Sequence, residues 1–406
     1  MRKTLFFSLI LCLFLLAGCG GTKNDAGFST APPPPVENSA AQPVEEIPAP
    51  PPEAEPDPRQ ETIDDILSSM TTAEKVGQMF FVRCPGTNQT ELVKQYHLGG
   101  YLLFGRDFKD SGDNYLTRDA FTAQIQSYQD AAAIPLLIGV DEEGGTVARA
   151  TRNPNLFAAK RKSPQAVFAA GGMEAVIEDT VTVNSGLLEL GINVNFAPVA
   201  DVSVDPNDFI YDRTFGLDAD ATAEYITSAV TAMKEAGIGS VLKHFPGYGS
   251  NVDTHTGIAV DDRSYDQFLS RDFLPFQAGI TAGAGSVLVS HNVVTSMDDA
   301  LPASLSPSVH DILRDKLEFE GVILTDDLAM DAVEAYAADG SVAVLAVQAG
   351  NDMIVTTDFE TQIPQVISAV ESGAMDMDLI DSAVSRILGW KYDLGLLNNT
   401  EGESHD

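Results

Sequence analysis

Gly321-Val322-Ile323-Leu324-Thr325-Asp326-Asp327 is an unbroken apolar run that stops on a threonine and two carboxylates. A run with no polar alternation suits a strand covered on both faces, the pattern of a parallel sheet between helices. Seven more such runs occur along the chain: Met79 to Arg83, Gly100 to Phe104, Pro135 to Val140, Val194 to Ala200, Ser240 to Leu242, Ser286 to Val289 and Met353 to Val355. Amphipathic stretches with helix punctuation separate them. Thr71 and Glu74 fit a capping box, Ser163-Pro164 and Ser306-Pro307 fit helix starts, and Gly191, Gly237 and Gly321 stand where helices should stop. Eight strand-helix alternations predict an α/β fold of the (β/α)8 TIM-barrel type, with a doubly wound open sheet as the alternative.

The ends of the runs carry the chemistry. Asp107, Asp141, Asp201, Lys243 with His244, His291, Asp326 with Asp327, and Thr356 follow the second to eighth runs in turn. In a barrel these positions all fall on the C-terminal rim, where loops assemble the active site. The segment from Lys243 to His255 adds two imidazoles, a lysine and Asp253 on a stretch whose glycines and proline forbid regular structure.

Such a ring suits glycosidic bond cleavage, which needs a carboxylate on one side of the sugar and an acid on the other. Asp326, at a stiff strand end, is placed as nucleophile. His255 can give and take a proton near neutral pH, with Asp253 two residues away to hold its tautomer. Asp141, Arg149, Arg213, Lys243 and His244 can orient sugar hydroxyls. Gly144 and Gly145 mark a tight turn, and Glu142 and Glu143 read as solvated or structural. Two other readings compete. One is a metal-dependent hydrolase using His244, His255, His291 and Asp326, although no His-x-His or His-Glu-x-x-His pattern supports it. The other is a glycan-binding module without turnover.

The remainder of the chain bounds its surroundings. Residues 1–18 have the layout of an export signal, with Leu16-Ala17-Gly18-Cys19 resembling a lipobox that would leave Cys19 lipid-bearing. Residues 19–60, rich in Pro, Ala and Glu, read as a tether, residues 61–397 as a single catalytic domain and 398–406 as a polar tail. Cys84 reads as a buried structural thiol. With 59 acidic against 24 basic residues, the formal charge is −35, which disfavours nucleic acid and anionic headgroups. The expected setting is the extracytoplasmic face of a bacterial membrane, reached only through the lipid, for a monomer without cofactor or metal.

Taken together, these motifs resemble the bacterial β-N-acetylhexosaminidases of glycoside hydrolase family 3. The resemblance rests on Asp141-x-Glu-Gly-Gly with Arg149, Asn195-Phe-Ala-Pro-Val-Ala-Asp201, Arg213-Thr-Phe-Gly216, Lys243-His-Phe-Pro-Gly247, Asp253-x-His255 and Thr325-Asp-Asp-Leu-x-Met330. It implies a (β/α)8 barrel and retention of configuration. The implied reaction removes terminal N-acetylglucosamine from glycans such as muropeptides. It also implies Asp326 as nucleophile, His255 as acid/base with Asp253 as partner, and sugar contacts from Asp141, Arg149, Arg213, Lys243 and His244. The chain departs from that family at Thr146, where arginine is common, at Tyr248, where histidine is common, and in a loop from Lys243 to Asp253 that is one residue shorter.

Overall fold

The computed structural model describes Pro32 and residues 57–249, 259–330 and 341–397, together with Val333 and Tyr336. Eight parallel strands form the barrel expected from the eight runs: β1 (Phe80–Arg83), β2 (Gly100–Leu103), β3 (Leu137–Val140), β4 (Val194–Asn195), β5 (Gly239–Phe245), β6 (Ser286–Val289), β7 (Val322–Thr325) and β8 (Ile354–Thr356). Each pairs with its neighbour in sequence, and β1 pairs with β8 through Phe80↔Ile354 and Val82↔Thr356. A bridge at Leu324↔Met353 and the Thr325 N–H to Met353 carbonyl bond (3.1 Å) complete the ring between β7 and β8. The open doubly wound sheet is thereby excluded. A separate two-residue pairing joins Val260–Asp261 to Val293–Val294 beside the rim.

Helices follow the strands as predicted, and their starts obey local chemistry. Thr71 and Glu74 cap each other, with the Thr71 N–H 2.8 Å from Glu74 Oε2. The Ser163 and Ser306 hydroxyls accept the Ala166 and Val309 N–H groups ahead of prolines at the first helical position. Gly237 ends Ala219–Ala236 at φ 82°, a left-handed conformation that favours glycine. Gly321 is a correction: the preceding helical turn ends at Lys316, and Gly321 stands instead at the start of β7. A Cβ there would lie 2.6 Å from the Gly285 carbonyl, so close approach of neighbouring chain accounts for the glycine.

Two strand bounds also differ from expectation. Of Val194 to Ala200 only the first two residues form ladder, because Pro198 has no N–H to donate; the rest returns to β5 through single bonds such as Ala200 N–H to the Lys243 carbonyl (2.7 Å). Conversely, β5 runs on through Lys243 and His244 to Phe245, with its pairing to β6 shifted between Leu242 and Phe245. Lys243 and His244 thus belong to the strand itself, at an irregularity that re-aims side chains. The first described helix, Pro58–Ser69, begins inside the stretch expected as tether, where the Asp57 carboxylate caps it and Pro58 takes a first-turn position.

The barrel interior is filled, not open. Phe81 of β1 and Phe196 after β4 meet edge to face at 5.1 Å over Gly139 of β3, where a Cβ would lie 2.7 Å from both rings. Phe196 also lines the cavity above, so this packed layer is the floor of the site. Cys84 is fully buried and its thiol is pushed well above the ordinary range by that burial, which suits a structural role and not a nucleophilic one.

Candidate active site

Two cavities open at opposite ends of the barrel. The one at the strand starts, about 680 Å³, is lined by glycines, Trp390 and charged side chains of the C-terminal helix. The other, about 590 Å³, opens on the C-terminal rim and takes in Asp141, Arg149, Arg213, Lys243, His244, Asp326 and Asp327. Six predicted sugar-site or nucleophile residues therefore converge on one chamber of a size that suits a small ligand.

A charge network fixes its wall. The buried Lys243 ammonium lies 2.7 Å from Asp141 Oδ1 and 2.6 Å from Glu143 Oε1. Arg213 donates to both oxygens of Glu143, at 2.9 and 2.8 Å, the two-pronged geometry that suits a guanidinium. Burial opposes charge on Glu143, but Arg213 first and Lys243 next outweigh it and hold the carboxyl well below the usual carboxylate range. Burial likewise works against the Lys243 ammonium, and Asp141 and Glu143 overcome it, so its pKa is raised. At neutral pH Glu143 is therefore ionised between the Lys243 and Arg213 cations.

His244 is oriented from both ring nitrogens. Nδ1 lies 2.7 Å from Asp201 Oδ2 and Nε2 lies 3.1 Å from Arg213 Nη2. Arginine has only donors, so Nε2 accepts and the ring hydrogen sits on Nδ1, donated to Asp201. Asp201 also accepts the backbone N–H groups of His244 (3.1 Å) and Tyr248 (2.6 Å), tying the strand end to the turn that follows it. Tyr248 is buried with its ring 5.8 Å from that of His244, whereas Thr146 is exposed.

Asp326 follows β7 directly. Its N–H donates to the Val289 carbonyl of β6 at 3.0 Å, and its Oδ1 accepts the Asp327 N–H at 2.9 Å. The Asp327 carboxylate accepts from the Ala329 N–H of its own loop at 3.0 Å and faces the hydroxyl of Thr357, just after β8, at 3.3 Å. Burial, together with the neighbouring Asp326 charge, raises the Asp327 pKa.

Other rim residues were expected in the chamber and do other work. Asp107 folds back to accept the Phe104 N–H at 2.7 Å. His291 is fully buried, with its nitrogens 2.7 Å from the Ser304 hydroxyl and 3.1 Å from the Asp327 carbonyl. The Thr356 hydroxyl accepts the Asp358 N–H. Among the described residues no cluster of His, Cys, Asp or Glu has the arrangement of a metal site. Asp253 and His255 lie outside the described residues.

Glu143 was missed as a site residue, although two cations assigned to the site, Lys243 in β5 and Arg213 in the turn Tyr211–Arg213, demanded a second acidic partner near Asp141. Glu142 is structural as expected but buried, not solvated; its carboxylate accepts the N–H groups of Arg149 and Ala150 at 2.8 and 2.7 Å. It thereby shapes the turn that delivers Arg149. Gly144, at φ 96° with a Cβ position 2.1 Å from the Lys162 carbonyl, admits no other residue in that turn.

Comparison with known proteins gives a consistent family. Residues 71–389 match the Glycosyl hydrolase family 3 N terminal domain. A beta-hexosaminidase A of Pseudoalteromonas piscicida is 30% identical over 331 residues, which are 75% of this chain but 55% of that protein, so the chain spans about half the length of this relative. A beta-hexosaminidase of Stenotrophomonas maltophilia (strain R551-3) is 30% identical over 337 residues, 79% of this chain and 96% of its own length. The solved structure of a glycoside hydrolase family 3 beta-N-acetylglucosaminidase from Paenibacillus sp. str. FPU-7 superposes with a TM-score of 0.73 at 30% identity, covering 81% of this chain and 63% of that one. With the domain match running over most of a closed barrel whose rim gathers these charged side chains, the chain belongs to glycosyl hydrolase family 3.

Proposed function

We propose that this chain is a β-N-acetylhexosaminidase that removes terminal N-acetylglucosamine from glycans, including muropeptides, with retention of configuration. Asp326 attacks the anomeric carbon, and His255, held by Asp253, protonates the leaving oxygen and then deprotonates water. The observation that carries this reading is the shared chamber: a half-buried carboxylate on a strand end faces the same cavity as a preformed set of hydroxyl-orienting charges. The similarity to named hexosaminidases at 30% identity supports the sugar.

The acid/base role has a characteristic signature. A nitrophenolate leaves with little help, whereas the alkoxide of a sugar needs a proton. His255→Ala is expected to lower turnover of a chitobiose-type disaccharide about 10²-fold or more, and that of 4-nitrophenyl N-acetyl-β-glucosaminide far less. Equal losses on the two substrates would remove His255 from the acid role.

Export and lipid anchoring at Cys19 complete the proposal, supported by the charged, apolar and cysteine-terminated layout of residues 1–19. Cys19→Ser is expected to move the protein from the membrane to the soluble fraction of cells; membrane retention in that variant would contradict lipidation.

A further inference from the structure

Four cationic side chains besides His244 line the rim cavity, and they fall into two unlike pairs. Lys243 and Arg213 are neutralised by Asp141 and Glu143. Arg83 and Arg149 have no ion-pair partner among the described residues, and each has a buried Nε with no hydrogen-bond partner. Both guanidinium groups lie against one ring: the Cζ atoms stand 4.2 Å (Arg83) and 5.8 Å (Arg149) from the centroid of Phe104. Stacking on an aromatic face satisfies a guanidinium's flat side and leaves its in-plane N–H donors unused. In a chain of net charge −35, two cavity-lining arginines without an ion pair among the described residues, with Asp107 attracting Arg83 only at longer range, are a specific local feature. The field of distant surface carboxylates falls off within about 8 Å at physiological ionic strength.

The geometry points to Arg83, with Arg149 and Phe104, as a subsite for an oxyanion carried on the substrate's terminal sugar, at its exocyclic C6 position. This deepens the proposed hexosaminidase reading and rests on it. Shared lining argues for the terminal sugar. Arg83 ends β1 beside Leu102 of β2. It lines the same cavity as Asp326, Asp141, Lys243 and Arg213, so the sugar held against Asp326, which in the proposed reaction is the terminal one, is the sugar that Arg83 meets. The primary C6 oxygen stands off the sugar ring on a rotatable bond, and a sulfate there offers three acceptor oxygens to paired guanidinium forks.

The test compares 4-nitrophenyl N-acetyl-β-glucosaminide with its 6-O-sulfate, in wild type, Arg83→Gln and Arg83→Lys. Wild type is expected to favour the sulfated substrate about tenfold in kcat/KM. Arg83→Gln should erase that ratio, whatever it does to the neutral substrate, and Arg83→Lys should keep part of it. A wild-type preference for the neutral sugar, or a ratio unchanged by Arg83→Gln, would overturn the proposal. So would an Arg83-dependent preference seen only when the charge is moved to a carboxylated aryl leaving group. Calorimetric binding of N-acetylglucosamine 6-sulfate against N-acetylglucosamine gives the same ratio without turnover, so an absent hydrolase activity and an absent anion subsite are read separately.

Discussion

Replacing Asp326 with alanine is expected to lower kcat on 4-nitrophenyl N-acetyl-β-glucosaminide on the order of 10⁴-fold or more, with KM changed little, as for removal of a covalent nucleophile. The carboxylate is held from two sides: its N–H is bonded to β6 through Val289, and the preceding Thr325 is bonded to Met353 ahead of β8. Such anchoring sets a nucleophile in place before substrate arrives. The substitution leaves the Lys243, Arg213 and His244 wall intact, so sugar binding should survive. Added azide should restore turnover in the alanine variant by taking the vacated position, giving the α-glycosyl azide. Asp327→Asn should cost less than tenfold, because that carboxylate is spent on Ala329 of its own loop and on Thr357 after β8. Steady-state rates with identified products decide between the two carboxylates.

The second large effect is expected at Glu143, a residue that touches no reacting atom in the proposed mechanism. Glu143→Gln leaves Lys243 paired with Asp141 but takes from Arg213 its one ion-paired carboxylate among the described residues, with Asp141 and Asp201 acting on it only through longer-range attraction. Breaking a buried ion pair by removing one partner costs about 3–5 kcal/mol. A fall in melting temperature and a loss of about 10²-fold in kcat/KM are expected together, since Lys243 and Arg213 are the groups proposed to orient the sugar. The pH dependence has a definite sign. The folded-state pKa of Glu143 is depressed, so its contribution is fully present above the unfolded carboxyl pKa of about 4.3 and is lost as pH falls below that value toward the folded pKa. Wild type should therefore lose stability more steeply below about pH 4 than Glu143→Gln does. Parallel slopes from thermal unfolding would show that Glu143 is not the charged hub of the network.

The barrel was legible because burial on both faces leaves a plain trace: each strand core is an unbroken apolar run, and seven of the eight runs contain their observed strands or lie within them, the eighth being offset from Ile354–Thr356 by one residue. The rim was legible for the same reason, since an ionisable residue at the end of such a run has few places to go but the mouth of the barrel. What escaped was decided by partners distant in sequence. Lys243 and His244 read as the start of a loop because a charged residue is costly inside a strand, yet Glu143 and Asp201, contributed by other strands, remove that cost. Glu143 itself read as solvated or structural beside two glycines, although the cations Lys243 and Arg213 with a single assigned aspartate left the charge unbalanced. Arg83 closes the first apolar run, in the same position that singled out the other rim residues, and its unmatched guanidinium appears only once Phe104 is seen beneath it. His291 shows the converse: a polar residue at a strand end that serves packing, through Ser304 and Asp327.

The proposed mechanism requires a covalent bond between Asp326 and the anomeric carbon, and trapping that bond tests it most directly. An N-acetylglucosaminyl fluoride bearing a second fluorine at C5 slows the oxocarbenium-like steps, while its fluoride leaves without an acid. Mass spectrometry of the inactivated, digested enzyme should find one added sugar on the peptide containing Asp326. A label on another residue, or turnover of the fluoride with no adduct at all, would contradict the double-displacement mechanism.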